Sequence, residues 1–204
     1  MLALRIATAA ALAALFIPAL FLLPASGWSV LCIVLIGACA WEWAGLSGMN
    51  RGAHAAIYAI ALGGLVALAA HAPGRGEGWY LAALAFWIIV APWLLWRRPK
   101  LASPGPRLAA GLVVLVPAGL ALINIRSASP GLLLLLMAIA WISDSAAYFS
   151  GRAFGRRKLA PSVSPGKTWE GVYGALAAVL VYAIICIMSL ESLAIPRWFS
   201  VDAA

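Results

Sequence analysis

A polar stripe within an apolar segment contains residues that could support chemistry. Asp144, Tyr148 and Arg152 recur at intervals of four residues, which places them along one face of a helix. An ionisable side chain costs about 2.5 to 3.5 kcal/mol near the centre of a membrane helix, so a carboxylate there requires a reason. The stripe is interpreted either as part of a functional site or as a hydrogen-bonded seam between two membrane helices.

The longest polar stretch of the chain follows the stripe, from Gly151 to Gly171. It contains clustered Arg and Lys side chains, the serines Ser162 and Ser164, and a Pro165-Gly166 step that exposes backbone amides. Such groups bind polyphosphates and phosphorylated lipid headgroups. The alternative is a basic linker of the kind that membrane proteins carry on their cytoplasmic side.

The end of this stretch, Gly166-Lys167-Thr168, precedes an apolar block that begins at Gly171. The unpaired amides and the positive dipole end of a helix beginning there favour an anion near Lys167 or Thr168. The same three residues match the end of a phosphate-binding P-loop, which also needs a glycine at position 161 and a buried strand before it. Position 161 is a proline and an apolar helix precedes it, so a P-loop is excluded.

The elements that must carry these residues are membrane helices. Hydrophobic residues make up 65% of the 204 residues and charged residues only 10%, against about 25% charged residues in an average soluble domain. The apolar residues occur in blocks of about twenty, the length with which a helix crosses about 30 Å of hydrocarbon. The predicted transmembrane helices are Arg5–Leu23, Trp28–Leu46, Ala53–Ala70, Trp79–Trp96, Leu108–Ile125, Gly131–Phe149 and Gly171–Leu190.

The predicted fold class is therefore all-α, a polytopic membrane helical bundle of about seven transmembrane helices. Without an internal repeat or a low-complexity tract, residues 1–204 are predicted to form a single membrane domain. The first block is also compatible with a secretory signal peptide, because Arg5 precedes it and small residues follow it. Its apolar run is longer than the usual signal core of about 7 to 15 residues, so a retained helix is favoured.

Basic residues set the predicted orientation, because short connections rich in Lys and Arg remain in the cytoplasm. If the predicted helices cross the membrane in turn, eleven basic residues fall on one side and three on the other. The eleven are Arg5, Arg51, Arg97, Arg98, Lys100, Arg107, Arg152, Arg156, Arg157, Lys158 and Lys167. The amino terminus and the polar stretch are therefore predicted to lie in the cytoplasm.

The net charge of +8 falls mostly on that face. Each basic residue near an anionic membrane surface contributes about 1 kcal/mol, so membrane lipid is a predicted partner. A nucleic-acid partner is not expected, because the basic residues occupy short connections rather than a soluble module. The carboxylate of Glu42, near the end of the second block, is expected to reach interfacial water or to pair with an arginine.

Several strings in the chain resemble those of phosphatidate cytidylyltransferase, also called CDP-diacylglycerol synthase. The resemblance extends to about Ser189, and the string S-P-G-K-T-W-E-G is highly specific. The matching strings are Ala40-Trp41-Glu42-Trp43-Ala44 with Leu46-Ser47-Gly48, Ser143-Asp144-Ser145-Ala146-Ala147-Tyr148-Phe149, Gly151-Arg152, Phe154-Gly155, Lys158-Leu159-Ala160-Pro161, and Ser162-Val163-Ser164-Pro165-Gly166-Lys167-Thr168-Trp169-Glu170-Gly171.

The resemblance implies transfer of a cytidylyl group from CTP to phosphatidate, with release of pyrophosphate, at a Mg²⁺-dependent site on the cytoplasmic side of a bacterial inner membrane. It implies that a phosphatidate oxygen attacks the α-phosphorus of CTP without a protein nucleophile. Asp144 and Lys167 are then the catalytic candidates, and Asp144 is also the candidate metal ligand. The substrate-binding candidates are Arg152, Lys158, Ser162, Ser164, Pro165, Gly166, Thr168 and Glu170. A homo-oligomer is compatible with this interpretation.

The sequence departs from the family near its carboxyl terminus. The family carries a second signature there, with a Lys-Arg pair, a Lys-Asp pair, a His-Gly-Gly turn and closing Asp residues that help to hold metal and nucleotide. This sequence has none of it, and Glu42, Asp144 and Glu170 are the only carboxylates on the predicted cytoplasmic side. The chain is therefore expected to be truncated, with an incomplete metal site, and its activity alone stays open.

Two other functions are weighed against the transferase. One is a non-catalytic membrane protein that binds anionic lipid through the basic stretch. The other is a transporter, which is disfavoured because paired halves and broken helices near the bilayer midplane are not visible in the sequence.

Overall fold

The structure, a computed structural model, describes residues 2–72, 74, 76–97, 99, 103–161 and 164–192, without the side chains of residues 2–6, 9 and 190–192. Within these ranges the chain forms seven helices. They are α1 (Leu2–Leu22), α2 (Ala25–Leu46), α3 (Ala53–His71), α4 (Glu77–Arg97), α5 (Gly105–Ala128), α6 (Pro130–Phe154) and α7 (Trp169–Ser192). Helix α4 contains a π-helical segment, Phe86–Val90.

These helices confirm the predicted all-α membrane bundle. Each predicted segment coincides with one helix, and α2 to α7 are long and apolar enough to cross a membrane. In α1 the apolar stretch among the described side chains is the shorter Ala10–Leu22. The protein is therefore a multi-pass integral membrane protein.

One helix end differs from its prediction in a way that affects the polar stripe. The sequence predicts that the sixth segment ends at Phe149, but α6 continues to Phe154. Asp144 therefore lies ten residues before the helix end, about 15 Å along the axis, rather than in the last turns.

The chain divides into two compact units, Met1–Ser127 and Ala128–Ala204. Helices α2, α3 and α5 supply the core of the first unit, with fully buried side chains that include Trp28, Leu62, Val66 and Leu120. Small residues allow close packing in this core.

Polar side chains in the first unit bond to backbone carbonyls of other helices. Trp28 Nε1 donates to Leu122 O at 3.0 Å, Trp43 Nε1 to Arg107 O at 2.7 Å, and Tyr58 Oη to Leu108 O at 2.8 Å.

The guanidinium of Arg126 donates to the carbonyls of Leu20, at 3.1 Å, and of Leu23. These last bonds satisfy carbonyls near the end of α1 that have no partner within the helix.

The carboxylate of Glu42 pairs with Arg51, whose Nη2 lies 2.6 Å from Oε2. This ion pair confirms the expectation that Glu42 meets an arginine near its helix end. Both side chains are more than half exposed, at 56% and 59%. The pair therefore contributes only about 0 to 1 kcal/mol to stability.

The second unit consists of α6, a two-stranded hairpin and α7. Strands β1 (Lys158–Ala160) and β2 (Ser164–Thr168) pair in antiparallel fashion. This hairpin occupies the polar stretch, for which the sequence predicts no strand. Ser129 directly precedes α6, and its Oγ accepts the N–H of Leu132 at 3.2 Å, as expected of a helix-capping serine.

Glycines bring α6 and α7 close together. A Cβ atom at Gly171 would lie 2.9 Å from the carbonyl oxygen of Ala147, and one at Gly151 would lie 3.6 Å from the Cα atom of Gly171. Larger side chains at these positions would force the two helices apart. A hydrogen bond of 3.2 Å from Tyr182 Oη to Leu135 O also joins the pair.

Close packing in the first unit makes one glycine there sensitive to substitution. A methyl group at Gly119 would lie 2.8 Å from Ile36 Cγ1 and 3.1 Å from Val66 Cγ2. We expect Gly119→Ala to lower the free energy of unfolding by about 1 to 3 kcal/mol, measured as a lower thermal midpoint in detergent. Gly64→Ala is the matched control, because a Cβ there meets no atom within 4 Å. Equal midpoints for the two variants would contradict the packing.

Candidate functional site

A cavity of about 880 Å³ lies between α6 and α7 in the second unit, beside the hairpin. All of its described lining residues fall between Ile139 and Val179 in the sequence. Polar and charged lining residues come from α6 and β2, whereas α7 contributes apolar ones. The polar stripe and part of the polar stretch thus meet in one space.

The polar stripe lies on the face of α6 that lines this cavity. Asp144, Tyr148 and Arg152 all belong to the lining, as does Ser143. Arg152 Nη1 donates to Tyr148 Oη at 3.1 Å, and Asp144 has neither a hydrogen bond nor an ion pair within the described ranges. No stripe side chain bonds to a neighbouring helix in the part of the chain that the structure describes. The described contacts therefore favour a functional site over a helix-joining seam.

The opposite wall of the cavity is apolar. Helix α7 lines it with Val172, Leu176 and Val179, and Ile139 of α6 adds a further aliphatic side chain. Charged groups and aliphatic groups therefore share one cavity. Such a lining suits a ligand that is itself amphiphilic.

The hairpin is irregular where it meets the cavity. Lys158 pairs with Thr168 and Ala160 with Ser164, so three residues of β2 lie opposite the single residue Leu159. Successive residues of a regular strand point to opposite faces, yet Gly166, Lys167 and Thr168 all line the cavity. A bulge explains this, because bulges re-aim side chains and tolerate the missing N–H of a proline such as Pro165.

Thr168 joins this hairpin to α7. Its side chain is only 6% exposed, and its Oγ1 accepts the N–H of Gly171 at 3.2 Å. The threonine thus caps the first turn of α7. Thr168 Oγ1 therefore accepts a hydrogen bond from the start of α7, and Thr168 also lines the cavity.

The structure brings together six of the ten predicted site residues. The lining contains Asp144, Arg152, Ser164, Gly166, Lys167 and Thr168. Ser162 lies outside the described residues. Lys158, Pro165 and Glu170 are described but are not part of the lining.

Two of these three residues have other surroundings that the structure defines. Lys158 is exposed, next to the exposed Arg156 and Arg157, and Leu159 is the β1 residue that reaches the cavity. The Glu170 carboxylate accepts the backbone N–H of Arg157, at 3.2 Å from Oε1 and 3.3 Å from Oε2.

Sequence reasoning missed several lining residues on the two helices. Ile139, Ser143, Ala147 and Gly151 continue the stripe of α6 at spacings of four residues, so the helical period alone could have found them. The apolar wall of α7 carried no such signal, because its residues match any lipid-facing helix.

The cavity offers few ligands for a metal ion. No group of three or more His, Cys, Asp or Glu side chains that could hold a metal is found among the described residues. Asp144 is the one carboxylate in the described lining. Mg²⁺ is often held by one or two carboxylates together with substrate phosphates and water, so Asp144 fits an ion that a phosphate ligand helps to hold.

These features define a class of protein, a multi-pass membrane protein with a cationic and apolar cavity between two helices. The chain belongs to the cytidylyltransferase family, whose model matches residues 3–201. This membership confirms the family resemblance of the sequence strings. No solved structure matches the chain.

Curated relatives agree with the family. The chain is 38% identical over 178 residues to a phosphatidate cytidylyltransferase of Pseudomonas aeruginosa, covering 85% of this chain and 66% of that protein. It is 32% identical over 166 residues to one of Brucella suis, covering 78% of this chain and 58% of that protein. A match of 64% identity to one of Haemophilus influenzae covers 56 residues, 28% of this chain and 19% of that protein. The chain therefore spans less than two thirds of the length of these relatives.

The bulge makes a prediction for Gly166. Its φ is not positive and a Cβ there would meet no atom within 4 Å, so neither backbone strain nor packing requires a glycine. A methyl group would instead occupy cavity space beside the Gly166 and Lys167 amides. We expect Gly166→Ala to leave the thermal midpoint unchanged but to weaken pyrophosphate binding about tenfold, measured by calorimetry, through loss of one charge-assisted hydrogen bond. Gly64→Ala serves as the control, and equal affinity in both variants would exclude close approach of a phosphate to Gly166.

Proposed function

We propose that the protein transfers the cytidylyl group of CTP to phosphatidate, forming CDP-diacylglycerol and pyrophosphate in phospholipid biosynthesis. The observation that carries this proposal is the lining of one cavity by cationic groups on one side and aliphatic groups on the other. Phosphatidate has the same two parts, a phosphate and acyl chains. The curated relatives, which are named phosphatidate cytidylyltransferases, support the same activity.

The charged side of the cavity suits the phosphates of both substrates. Lys167 and Arg152 supply positive charge, Ser164 supplies a hydroxyl group, and the bulge brings the backbone at Gly166 to the cavity. The apolar wall of α7 suits an acyl chain. Mg²⁺, bound by Asp144 and by substrate phosphates, would neutralise negative charge on the triphosphate.

The proposed chemistry needs positioning rather than a protein nucleophile. An oxygen of the phosphatidate phosphate forms a bond to the α-phosphorus of CTP, and the bond from that phosphorus to the pyrophosphate oxygen breaks. Lys167 and Arg152 hold the phosphates in reach of each other and stabilise the negative charge that shifts to the leaving pyrophosphate. Ser164 donates a hydrogen bond that orients a phosphate. Tyr148 holds the Arg152 guanidinium through their 3.1 Å hydrogen bond.

The activity is tested by CDP-diacylglycerol formation from CTP and phosphatidate in detergent with Mg²⁺. We expect product from the purified chain, with or without a supplied carboxyl-terminal piece of a curated relative. We expect a loss of about 100-fold or more in kcat/KM for Lys167→Ala, which removes positive charge at the reacting phosphates, and for Asp144→Asn, which removes the proposed metal ligand. Arg97→Ala and Glu77→Gln are matched controls, since neither residue lines the cavity. Absence of product both from the wild-type chain and from the chain supplied with that carboxyl-terminal piece, or equal losses in the controls, would contradict the proposal.

A second candidate is a non-catalytic membrane protein that binds anionic lipid. It is favoured by Arg156, Arg157 and Lys158, which are exposed, do not line the cavity and form no ion pair within the described ranges. Phosphatidate binding that survives Lys167→Ala and Asp144→Asn, without any CTP binding, would favour this function over the transferase.

We further propose that the charged side of the cavity opens to the cytoplasm from a bacterial inner membrane. The connections after α2, α4 and α6, together with the helix ends beside them, carry ten of the fourteen basic residues, and short basic connections remain in the cytoplasm. Two membrane-spanning helices separate each of these connections from the next, so all three share one side whether or not α1 spans the membrane.

Cysteine labelling tests this orientation. In a variant with Cys32, Cys39 and Cys186 replaced by alanine, we expect Lys158→Cys to react with a membrane-impermeant maleimide only after the cells are permeabilised. Ala72→Cys, in the connection after α3, should react in intact cells because it lies one span away. The reverse pattern would contradict the proposed orientation.

A further inference from the structure

The backbone of Arg157 is held on both sides by the first turn of α7. Its N–H donates to both carboxylate oxygens of Glu170, at 3.2 Å and 3.3 Å. Its carbonyl oxygen accepts the N–H of Trp169 at 2.9 Å. Arg157 directly precedes β1, so these contacts fix the point at which the hairpin begins.

The end of β2 is seated between the two helices, at the same open end of the hairpin as Arg157, because Lys158 pairs with Thr168. Thr168 is the last residue of β2, and its side chain fills a slot that glycines leave open. A Cβ atom at Gly151 would lie 3.0 Å from Thr168 Oγ1, and one at Gly155 would lie 2.9 Å from Thr168 Cγ2. Both strands are therefore fixed relative to α7 at the open end of the hairpin. Lys167, Gly166 and Ser164 follow along β2 from this fixed end towards the turn.

We propose that Glu170 is a positioning residue, which places Ser164 and Lys167 in the cavity by holding Arg157. The proposal rests on the proposed function, because it assigns Glu170 a part in the same site. Glu170 does not line the cavity, and its carboxylate is already occupied by the Arg157 N–H. A carboxylate suits this place, since it forms a charge-assisted hydrogen bond and lies near the positive end of the α7 dipole.

The role predicts different results for two substitutions. Glu170→Ala removes the acceptor, so we expect hydrogen exchange of peptides covering residues 155–168 to become about tenfold faster. Misplacement of Lys167 should then lower kcat/KM for CTP by about 10- to 100-fold. Glu170→Gln keeps a carbonyl acceptor and should restore slow exchange and kcat/KM to within about threefold of wild type. Glu77→Ala, which removes the first-turn acid of α4, is the control and should change neither quantity.

A double variant separates positioning from a purely structural role. If Glu170 acts through the placement of Ser164 and Lys167, Glu170→Ala should lower kcat/KM less in the Lys167→Ala background than in the wild-type chain. Additive losses, or a Glu170→Gln variant as impaired as Glu170→Ala, would overturn the proposal and indicate that the carboxylate acts on substrate or metal. Unchanged exchange in Glu170→Ala would overturn it as well. If no product forms with or without the supplied carboxyl-terminal piece, the proposed function fails, and the exchange comparison still decides whether Glu170 holds the hairpin.

Discussion

The close approach of α6 and α7 is the constraint on which the rest of the second unit depends. Gly151 and Gly171 bring the two backbones together and leave the space that Thr168 fills. Thr168 in turn ends β2 and caps α7, so helix packing, hairpin and helix start share one residue. A larger residue in this slot would displace all three at once, which explains why the helix pair carries glycines here.

The cavity also explains how a membrane helix tolerates Asp144. A carboxylate that faced lipid about 15 Å inside a helix would be costly. On the cavity face the carboxylate can meet water or ligand. Arg152, on the same face and nearer the carboxyl end of α6, offers compensating charge. Helix α6 contributes the polar side chains of the cavity lining, and α7 contributes apolar ones. An amphiphilic ligand therefore needs no separate sites for its two parts.

The sequence predicts the helices well because block length and hydropathy determine which segments cross a membrane. It predicts the stripe because residues spaced by four lie on the same face of any α-helix. It does not predict the hairpin, since Lys158–Ala160 has no strong strand propensity and β2 contains a proline and a glycine. The strand pairing depends on contacts with α7 that composition does not reveal. For the same reason the sequence predicts Lys158 and Glu170 as substrate-binding residues, although neither lines the cavity.

The residues that line the cavity are close together in the sequence, and this affects how the protein folds during its synthesis. The described lining extends only from Ile139 to Val179, so its contacts close short loops and have a small entropic cost. A site with such local contacts can form while the chain is still being synthesised, as soon as α7 has left the ribosome. Recombination that moves this one stretch of the gene would also move the whole described lining, with both of its walls and the hairpin between them.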